Sequence, residues 1–309
     1  MKKRNILISV SGPTAIGKTA WAIRLAIHFR TEILSADSRQ FYREMRIGTA
    51  YPEPEELAAV PHHFIGHKSV TEAYSVGQYR DDALARLTDL FRNHPVLILV
   101  GGSGLYRDAV VQGLDDFPEI PEAVRSGVRE HYRTTGLPGL QAELADRDPE
   151  YYGTVDRENP HRLMRALEVA RASGRPYSSF LGNRRPPDFF EHVPIGLEAP
   201  RETLYRRINR RVARMMEAGL EAEARSLYPQ RHLNALQTVG YQEMFAYMDG
   251  AFDRETAIRE IAKNTRRYAK RQGTWLRRHP DIRWFGYRED PEVVIRYLES
   301  RILEIQQHG

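Results

Sequence analysis

The feature that most constrains this chain is a glycine-rich segment near its N-terminus, residues 12–19, which matches the pattern G-x-x-x-x-G-K-S/T. It follows a β-favouring apolar run, Ile6 to Val10, and it precedes apolar residues at helical spacing. In such a strand–loop–helix unit, glycines let backbone N–H groups approach phosphate oxygens, and the helix N-terminus adds partial positive charge. The segment therefore predicts a site for a di- or triphosphate, with Lys18 as a point charge and the Thr19 hydroxyl as a ligand for Mg²⁺. The predicted phosphate-binding residues are Gly12, Pro13, Thr14, Ala15, Ile16, Gly17, Lys18 and Thr19.

Two further short strands are predicted, at Ile33-Leu34 and at Val96–Val100, and helical segments lie between the strands. This alternation indicates a parallel sheet with right-handed crossovers, so Asp37 and Ser103, which follow these strands, should lie at one edge beside the loop. Asp37 could bind a metal through water, accept a proton from a nucleophile, or only cap the next helix. The glycines around Ser103 fit a binding role and a tight turn about equally.

A change of pattern after about Asp115 predicts an insertion. Prolines there separate short amphipathic segments until a strand-like run, Val193 to Leu197, resumes the sheet pattern. The predicted fold is therefore α/β, a phosphate-loop NTPase-like parallel sheet flanked by helices, with a helical insertion domain. We expect the core domain to comprise residues 1–114 and 194–309, including helices around 203–227 and 255–278, and the insertion to comprise residues 115–193.

Composition excludes several classes of protein. The chain has no cysteine, which rules out disulfide scaffolds, thiol nucleophiles and cysteine-ligated metal sites. Its longest apolar stretch is far below the roughly 20 residues that span a bilayer, and the basic start Met1-Lys2-Lys3-Arg4 lacks a signal peptide's length, so we expect a cytoplasmic protein with no membrane helix. A motif for guanine recognition, N-K-x-D, is also absent.

Positive charge is concentrated near the C-terminus. Residues 261–280 contain seven basic side chains and no acid: Lys263, Arg266, Arg267, Lys270, Arg271, Arg277 and Arg278. Such a run favours a polyanionic partner, although a solvated helix face is an equal alternative. Ile258, Ile261, Thr265, Tyr268, Gln272 and Trp275 advance by threes and fours, which indicates that they form the buried face of the same helix.

Several motifs in this order resemble the tRNA dimethylallyltransferase family, bacterial type. They are the phosphate loop, residues 35–42 (SADSRQFY), 47–50 (IGTA), 61–63 (PHH), 101–106 (GGSGLY), 159–162 (NPHR), 239–241 (VGY) and 265–275 (TRRYAKRQGTW). The resemblance implies transfer of a dimethylallyl group from dimethylallyl diphosphate to N6 of the adenosine 3′ of the anticodon, in tRNAs reading codons that begin with U. Diphosphate is released with Mg²⁺ present, and the target base must be flipped out of its stack.

The resemblance also implies roles for individual residues. Catalysis is expected to involve Asp37 as the proton acceptor, together with Thr19, Ser103 and Arg125, and Thr19 is the expected metal ligand. The residues expected to contact the tRNA anticodon stem-loop are Asp37, Ser38, Arg39, Gln40, Ser103, Arg125, His161, Arg162, Leu163, Met164, Arg165, Lys263, Arg266, Lys270, Arg271 and Gln272. A monomer is expected.

The chain departs from the family pattern at three positions. Tyr51 replaces a lysine that is usual after Gly-Thr-Ala, Ser103 replaces threonine and keeps the hydroxyl, and His161 stands where glutamine is common. Three alternatives share parts of the pattern: a prenyltransferase for free AMP or ATP, a nucleotide-type small-molecule kinase, and an RNA-binding protein without catalysis. The basic helix and the insertion favour an RNA substrate.

Overall fold

The computed structural model describes residues 4–307, so Met1, Lys2 and Lys3 and the last two residues lie outside the described residues. The strands are β1 (Ile6–Ser11), β2 (Ile33–Ser35), β3 (His62–His63), β4 (Val96–Val100), β5 (Glu191–Glu198) and β6 (Arg283–Gly286). The helices are α1 (Lys18–Phe29), α2 (Pro54–Ala59), α3 (Val76–Leu90), α4 (Gly104–Val111), α5 (Glu122–Arg147), α6 (Pro149–Thr154), α7 (Pro160–Ser173), α8 (Arg201–Glu217), α9 (Leu220–Leu227), α10 (Tyr241–Met248), α11 (Arg254–Leu276) and α12 (Pro291–Gln307).

All six strands of the described chain join one parallel sheet in the order β3-β2-β4-β1-β5-β6. The central strand β1 pairs with β4 and β5, with Ile6 opposite both Val96 and Glu191. The predicted α/β fold is confirmed. The two edge strands were not predicted, because β3 has only two residues and β6 contains arginine and glycine.

Both faces of the sheet are covered. Leu7 packs in an apolar cluster on one face, whereas Ile6, Ile8 and Val10 pack in a second cluster on the other. Burial on both faces explains why β1 reads as a continuous apolar run and does not alternate with polar residues. The buried strand ends at Ser11, and the phosphate loop follows directly.

The chain divides into two compact units, one containing residues up to Val111 and from Pro187 onward, the other Gln112–Pro186. The sheet belongs to the first unit. The second contains α5, α6 and α7 with its own core, formed by Val128, Leu140, Leu144, Leu163, Ala166 and Leu167. The predicted boundary at 193 falls inside β5, because that strand begins with the polar residues Glu191 and His192 and its apolar part starts later.

Among the described residues, no helix is long and apolar enough to cross a membrane.

Candidate functional site

The phosphate loop joins the end of β1 to the start of α1. Gly12 has φ 154° and Gly17 has φ 102°, and a Cβ on Gly12 would lie 2.9 Å from the carbonyl oxygen of Leu197. Glycine is therefore required at the first position, where the loop passes closely over β5. The Lys18 ammonium donates to the carbonyl of Pro13 at 3.0 Å, across the loop. The first N–H groups of α1 have no partner within the helix and can bind an anion.

Asp37 and Ser103 follow neighbouring strands, β2 and β4, and the fold brings them to the edge of the sheet that carries the loop. A Cβ on Gly102 would lie 3.6 Å from the Lys18 ammonium and 3.7 Å from Oδ2 of Asp37, so the cation and the carboxylate both lie beside this glycine. The Ser103 hydroxyl lies 3.1 Å from the Ser38 hydroxyl and accepts the Ser38 backbone N–H at 3.3 Å. Oδ1 of Asp37 accepts the backbone N–H of Arg39 at 3.1 Å, which orients the carboxylate.

A partly buried arginine from α8, Arg211, completes the positive side of the site. Its guanidinium donates to the Thr14 hydroxyl at 3.3 Å and to the carbonyl of Thr49 at 3.2 Å. Burial lowers the pKa of Lys18 to about 8, the charge of Asp37 opposes this shift, and Arg211 adds to it. Two cations held close together in a partly desolvated place favour an anionic ligand between them.

Sequence reasoning missed the arginines of α8. Arg207, Arg210, Arg211 and Arg214 all line the cavity in front of the loop, and Arg207 also donates to the carbonyl of Ala15 at 2.6 Å. In the sequence, the last three of these arginines follow Arg207 by three, four and seven residues. This spacing places all four along one side of a helix. That spacing was hidden because Arg201, Arg206 and other charged residues occupy the remaining faces of α8.

The cavity has a volume of about 670 Å³, within the usual range for a small-molecule site. Its lining includes Lys18 and Thr19 from the loop, Asp37 from the β2 end, and Tyr51. The ring of Tyr51 lies 5.4 Å from the guanidinium of Arg46, so the position that usually carries lysine in the resembling family holds a cation–π pair here. Cations outnumber acids in the lining, which suits a ligand with several negative charges.

Oxygen donors in the cavity fit a magnesium ion. Thr19 and Asp37 supply a hydroxyl and a carboxylate, and Mg²⁺ binds through one or two carboxylates together with phosphate oxygens of a substrate. No cluster of three or more His, Asp or Glu side chains that could hold a metal occurs among residues 4–307. The donor set therefore suits a metal brought in with a phosphorylated ligand.

Two of the predicted tRNA-contacting side chains are used inside the protein. The Arg39 guanidinium donates to the carbonyls of Asn234 and Ala235, both at 2.9 Å. The Gln40 amide donates to the carbonyl of Ala50 at 3.0 Å. Both side chains hold neighbouring loops in place, in addition to any contact that they make with a substrate.

The predicted contacts on α5 and α7 lie in the second unit. Arg125, His161 and Arg162 are exposed or partly exposed, as are Met164 and Arg165. Leu163 is fully buried in the core of that unit, so its assignment as an RNA-contacting side chain is wrong. The prediction from sequence included every residue from His161 to Arg165, whereas only one side of a helix faces solvent.

The predicted contacts on α11 differ in exposure. Lys270 and Arg271 are exposed, whereas Lys263 pairs with Glu260 at 2.5 Å and Arg266 donates to Asn209 at 2.9 Å. Gln272 is only 6% exposed and faces the phosphate loop.

Comparison with known proteins gives consistent matches along the whole chain. The profile of the IPP transferase family matches residues 40–279. The chain is 54% identical to tRNA dimethylallyltransferase of Christiangramia forsetii over 298 residues, covering 96% of this chain and 99% of the relative. It is 51% identical over 302 residues to tRNA dimethylallyltransferase of Flavobacterium johnsoniae, with 96% and 98% coverage. Among solved structures, the full-length tRNA isopentenylpyrophosphate transferase of Bacillus halodurans matches with a TM-score of 0.73 at 35% identity, over 99% of both chains.

Proposed function

This chain belongs to the tRNA dimethylallyltransferase family, bacterial type, and from that premise we propose how its cavity performs the reaction. The enzyme transfers a dimethylallyl group from dimethylallyl diphosphate to tRNA. The acceptor that we propose is N6 of the adenosine 3′ of the anticodon in tRNAs reading codons that begin with U, and the second unit and α11 hold the anticodon stem-loop.

One observation carries this proposal: the cavity places the phosphate loop and Arg211 on one side and the Asp37 carboxylate close to Lys18. An allylic carbon becomes a strong electrophile as its bond to the diphosphate oxygen breaks. Charge then grows on the leaving group, and Lys18, Arg211 and the N–H groups at the start of α1 stabilise it. This arrangement supports loss of diphosphate and does not require transfer of a phosphoryl group.

The acceptor amine is a weak nucleophile, because its lone pair is delocalised into the purine ring. As the new carbon–nitrogen bond forms, the amine must lose a proton. We assign the acceptance of this proton to the carboxylate of Asp37, which lines the cavity at the end of β2. Ser103 and Ser38 form a hydroxyl pair beside it, which we assign to orienting the base.

Magnesium is proposed to bind with the donor. The Thr19 hydroxyl is the protein oxygen assigned to hold the ion, together with oxygens of the diphosphate, and this leaves the Asp37 carboxylate available to accept the proton. When bound, Mg²⁺ neutralises charge on the departing diphosphate.

The proposed tRNA surface rests on exposed basic residues. Lys270 and Arg271 on α11 and Arg162 on α7 are exposed to solvent, and Arg271 and Arg165 lie over the aromatic rings of Tyr268 and Phe117. Arginine and aromatic side chains together suit phosphate contacts and stacking on unpaired bases. Arg125 is assigned to the same role in the second unit. A monomeric state and a cytoplasmic location are proposals that rest on the family alone.

The test is a transfer assay with isotope-labelled dimethylallyl diphosphate, Mg²⁺ and unmodified tRNA, with AMP and ATP as parallel acceptors. After digestion, we expect label only in N6-dimethylallyladenosine derived from tRNA, at the position next to the anticodon. Label on free AMP or ATP would instead assign the chain to nucleotide prenylation, and phosphate transfer from ATP would assign it to the kinases.

A further inference from the structure

A carboxylate of α9, that of Glu223, holds residues 46–50, which we call the 46–50 loop. Its Oε2 accepts the backbone N–H groups of Arg46 at 3.0 Å and of Ile47 at 2.8 Å, and its Oε1 accepts the N–H of Gly48 at 2.9 Å. Successive backbone N–H groups that converge on one anion form a concave site for it, and here a side chain of the protein occupies that site. Because the acceptor is charged, these hydrogen bonds are stronger than those between neutral groups.

The fully buried phenol of Tyr241, on α10, completes the contacts of this carboxylate. Its hydroxyl donates to Oε1 of Glu223 at 2.7 Å. A carboxylate offers about four acceptor positions, and the backbone N–H groups and this hydroxyl fill them. A Cβ on Gly48 would lie 2.5 Å from Cε2 of Tyr241, so the loop lies directly against the ring. The acceptor capacity of Glu223 is used within the protein, which indicates that this residue holds the loop.

The loop in turn directs two side chains of the cavity. The carbonyl of Thr49 accepts a hydrogen bond from Arg211 at 3.2 Å, and the carbonyl of Ala50 accepts one from Gln40 at 3.0 Å. Arg211, Gln40 and Ala50 all line the cavity. Ala50 has φ 45°, in the left-handed region that residues other than glycine rarely adopt, so the surrounding contacts must impose this conformation.

The orientation of Arg211 depends on this loop. Its guanidinium donates to the Thr49 carbonyl and also to the Thr14 hydroxyl, at 3.3 Å. These two bonds fix a long side chain in one orientation, and the remaining N–H groups of the guanidinium can bind a diphosphate. Without the bond to Thr49 the guanidinium would sample more rotamers, so binding the anion would cost the entropy of ordering it.

We propose that Glu223 is a positioning residue for the diphosphate: it holds the 46–50 loop so that the Thr49 carbonyl directs Arg211 at the anion. The inference rests on the proposed function, in which Arg211 stabilises the leaving group. Among the residues that the structure describes, those lining the cavity do not include Glu223 or Tyr241, so their effect reaches the ligand through the loop.

The test is a double-mutant cycle between Glu223 and Arg211. The dissociation constant of inorganic diphosphate is measured by calorimetry at one fixed excess of Mg²⁺. Glu223→Gln keeps the shape of the side chain, but its amide nitrogen replaces one oxygen and cannot accept from the loop or from Tyr241. We expect the dissociation constant to rise about tenfold, the value of one hydrogen bond to a charged group. In the Arg211→Gln background the same substitution should change it by less than about twofold, because its effect passes through Arg211.

Glu221→Gln is the matched control on the same helix. The carboxylate of Glu221 pairs with Arg225 at 3.2 Å and with Arg254 at 2.9 Å, rather than with the 46–50 loop. This substitution also removes one negative charge from α9, so it reports the general electrostatic effect on an anionic ligand. The dissociation constant of the control should stay within about twofold of wild type.

Tyr241→Phe is the second variant, for the case that Glu223→Gln does not fold. It removes only the hydroxyl and leaves the hydrogen bonds between Glu223 and the loop in place. The dissociation constant of diphosphate should rise about threefold, and again only when Arg211 is present.

An unchanged dissociation constant in Glu223→Gln would overturn the inference, as would an equal rise in both backgrounds. A residue with a purely structural role weakens binding whether or not Arg211 is present. If the cycle shows coupling but the wild-type chain does not prenylate tRNA, the proposed function fails and the assignment of Glu223 to the anion site stands. If the chain prenylates tRNA but the two substitutions are additive, the proposed function stands and the assignment of Glu223 fails.

Discussion

Two residues with opposite charges, Lys18 and Asp37, set the chemistry of the cavity at the scale of single side chains. The Asp37 carboxylate raises the pKa of Lys18 against the larger lowering effect of burial. A diphosphate bound near Lys18 supplies negative charge that stabilises the protonated form of this partly desolvated side chain. Binding of the donor and protonation of Lys18 are therefore coupled.

The lowered pKa of Lys18, about 8, predicts a pH-dependent affinity for inorganic diphosphate. The protonated side chain binds the anion, so above pH 8 binding must also take up a proton. The dissociation constant should rise about tenfold between pH 7 and pH 9 beyond the ligand's own titration. Lys18→Arg keeps a charge at all these pH values and isolates this contribution, since the ligand titrates identically with both proteins. A flat ratio of the two dissociation constants across this range would contradict the coupling.

Asp37→Asn preserves the shape of the side chain and removes its ability to accept a proton. The single-turnover rate of prenyl transfer to tRNA should fall about 10²- to 10⁴-fold. The affinity for inorganic diphosphate should stay equal or increase, because a repelling charge is lost. Asp89→Asn, an exposed carboxylate on α3, is the control and should leave the rate unchanged. A rate for Asp37→Asn within a few-fold of wild type would remove Asp37 from the proton-accepting role.

Neighbouring residues of one helix have different functions at the scale of the element. On α7, Arg162 is exposed, whereas the adjacent Leu163 is buried among Val128, Leu140 and Leu144. A helix turns by about 100° per residue, so consecutive side chains face different surroundings. On α11 the same geometry directs Gln272 to the phosphate loop and leaves Lys270 and Arg271 in solvent.

Substitutions at these two positions of α7 should affect different properties, RNA binding at Arg162 and stability at Leu163. Arg162→Gln should change stability by less than about 0.5 kcal/mol and reduce the slope of log affinity for tRNA against log salt by about one. Leu163→Ala should lower the free energy of unfolding by about 2–5 kcal/mol and leave the salt slope of the folded protein unchanged. Denaturant unfolding and tRNA binding at several salt concentrations check both. A reduced salt slope in Leu163→Ala would restore this residue to the RNA surface.

Two partly buried histidines make the stability of the whole molecule dependent on pH. Burial lowers the pKa of His192, whose Nε2 lies 2.8 Å from the Ser9 hydroxyl, from 6.5 to about 4. Burial also lowers the pKa of His67 to about 4; its ring contacts Phe41, Phe64 and Tyr74, and neither ring nitrogen has a hydrogen-bond partner among the described residues. The unfolded chain binds more protons than the folded chain between these pH values, so acidification favours unfolding.

The free energy of unfolding should therefore be highest above pH 6.5 and fall progressively between pH 6.5 and pH 4. His192 alone contributes about 3 kcal/mol to this loss, and His67 contributes in the same direction. His67→Phe keeps an aromatic ring in the cluster and should flatten the dependence, whereas His232→Gln, at an exposed position, should leave it unchanged. Urea unfolding at several pH values measures the slope. An identical slope in His67→Phe would show that His67 does not contribute to the acid sensitivity.

Local patterns in the sequence predicted much of the fold. The structure contains the strands predicted from the apolar runs of β1, β4 and β5 and the helices predicted from the residue spacing of α7 and α11. These predictions succeeded because a buried strand or helix places apolar residues in the core at a regular short spacing. The phosphate loop is equally local, since its glycines and Lys18 follow one another. The family was recognisable for the same reason, because its motifs are short and keep their order.

The sequence by itself determined the α/β class, the loop and the family, whereas the tertiary structure decided which distant side chains share the cavity. Arg211 reaches Thr14 from 197 residues away, and Gln272 reaches it from 258. The order of the strands and the directions of α8 and α11 produce these contacts, and no short pattern encodes them. The same packing directs Arg39 and Gln40 onto backbone carbonyls and Leu163 into a core, because each side chain points where its element faces the rest of the fold.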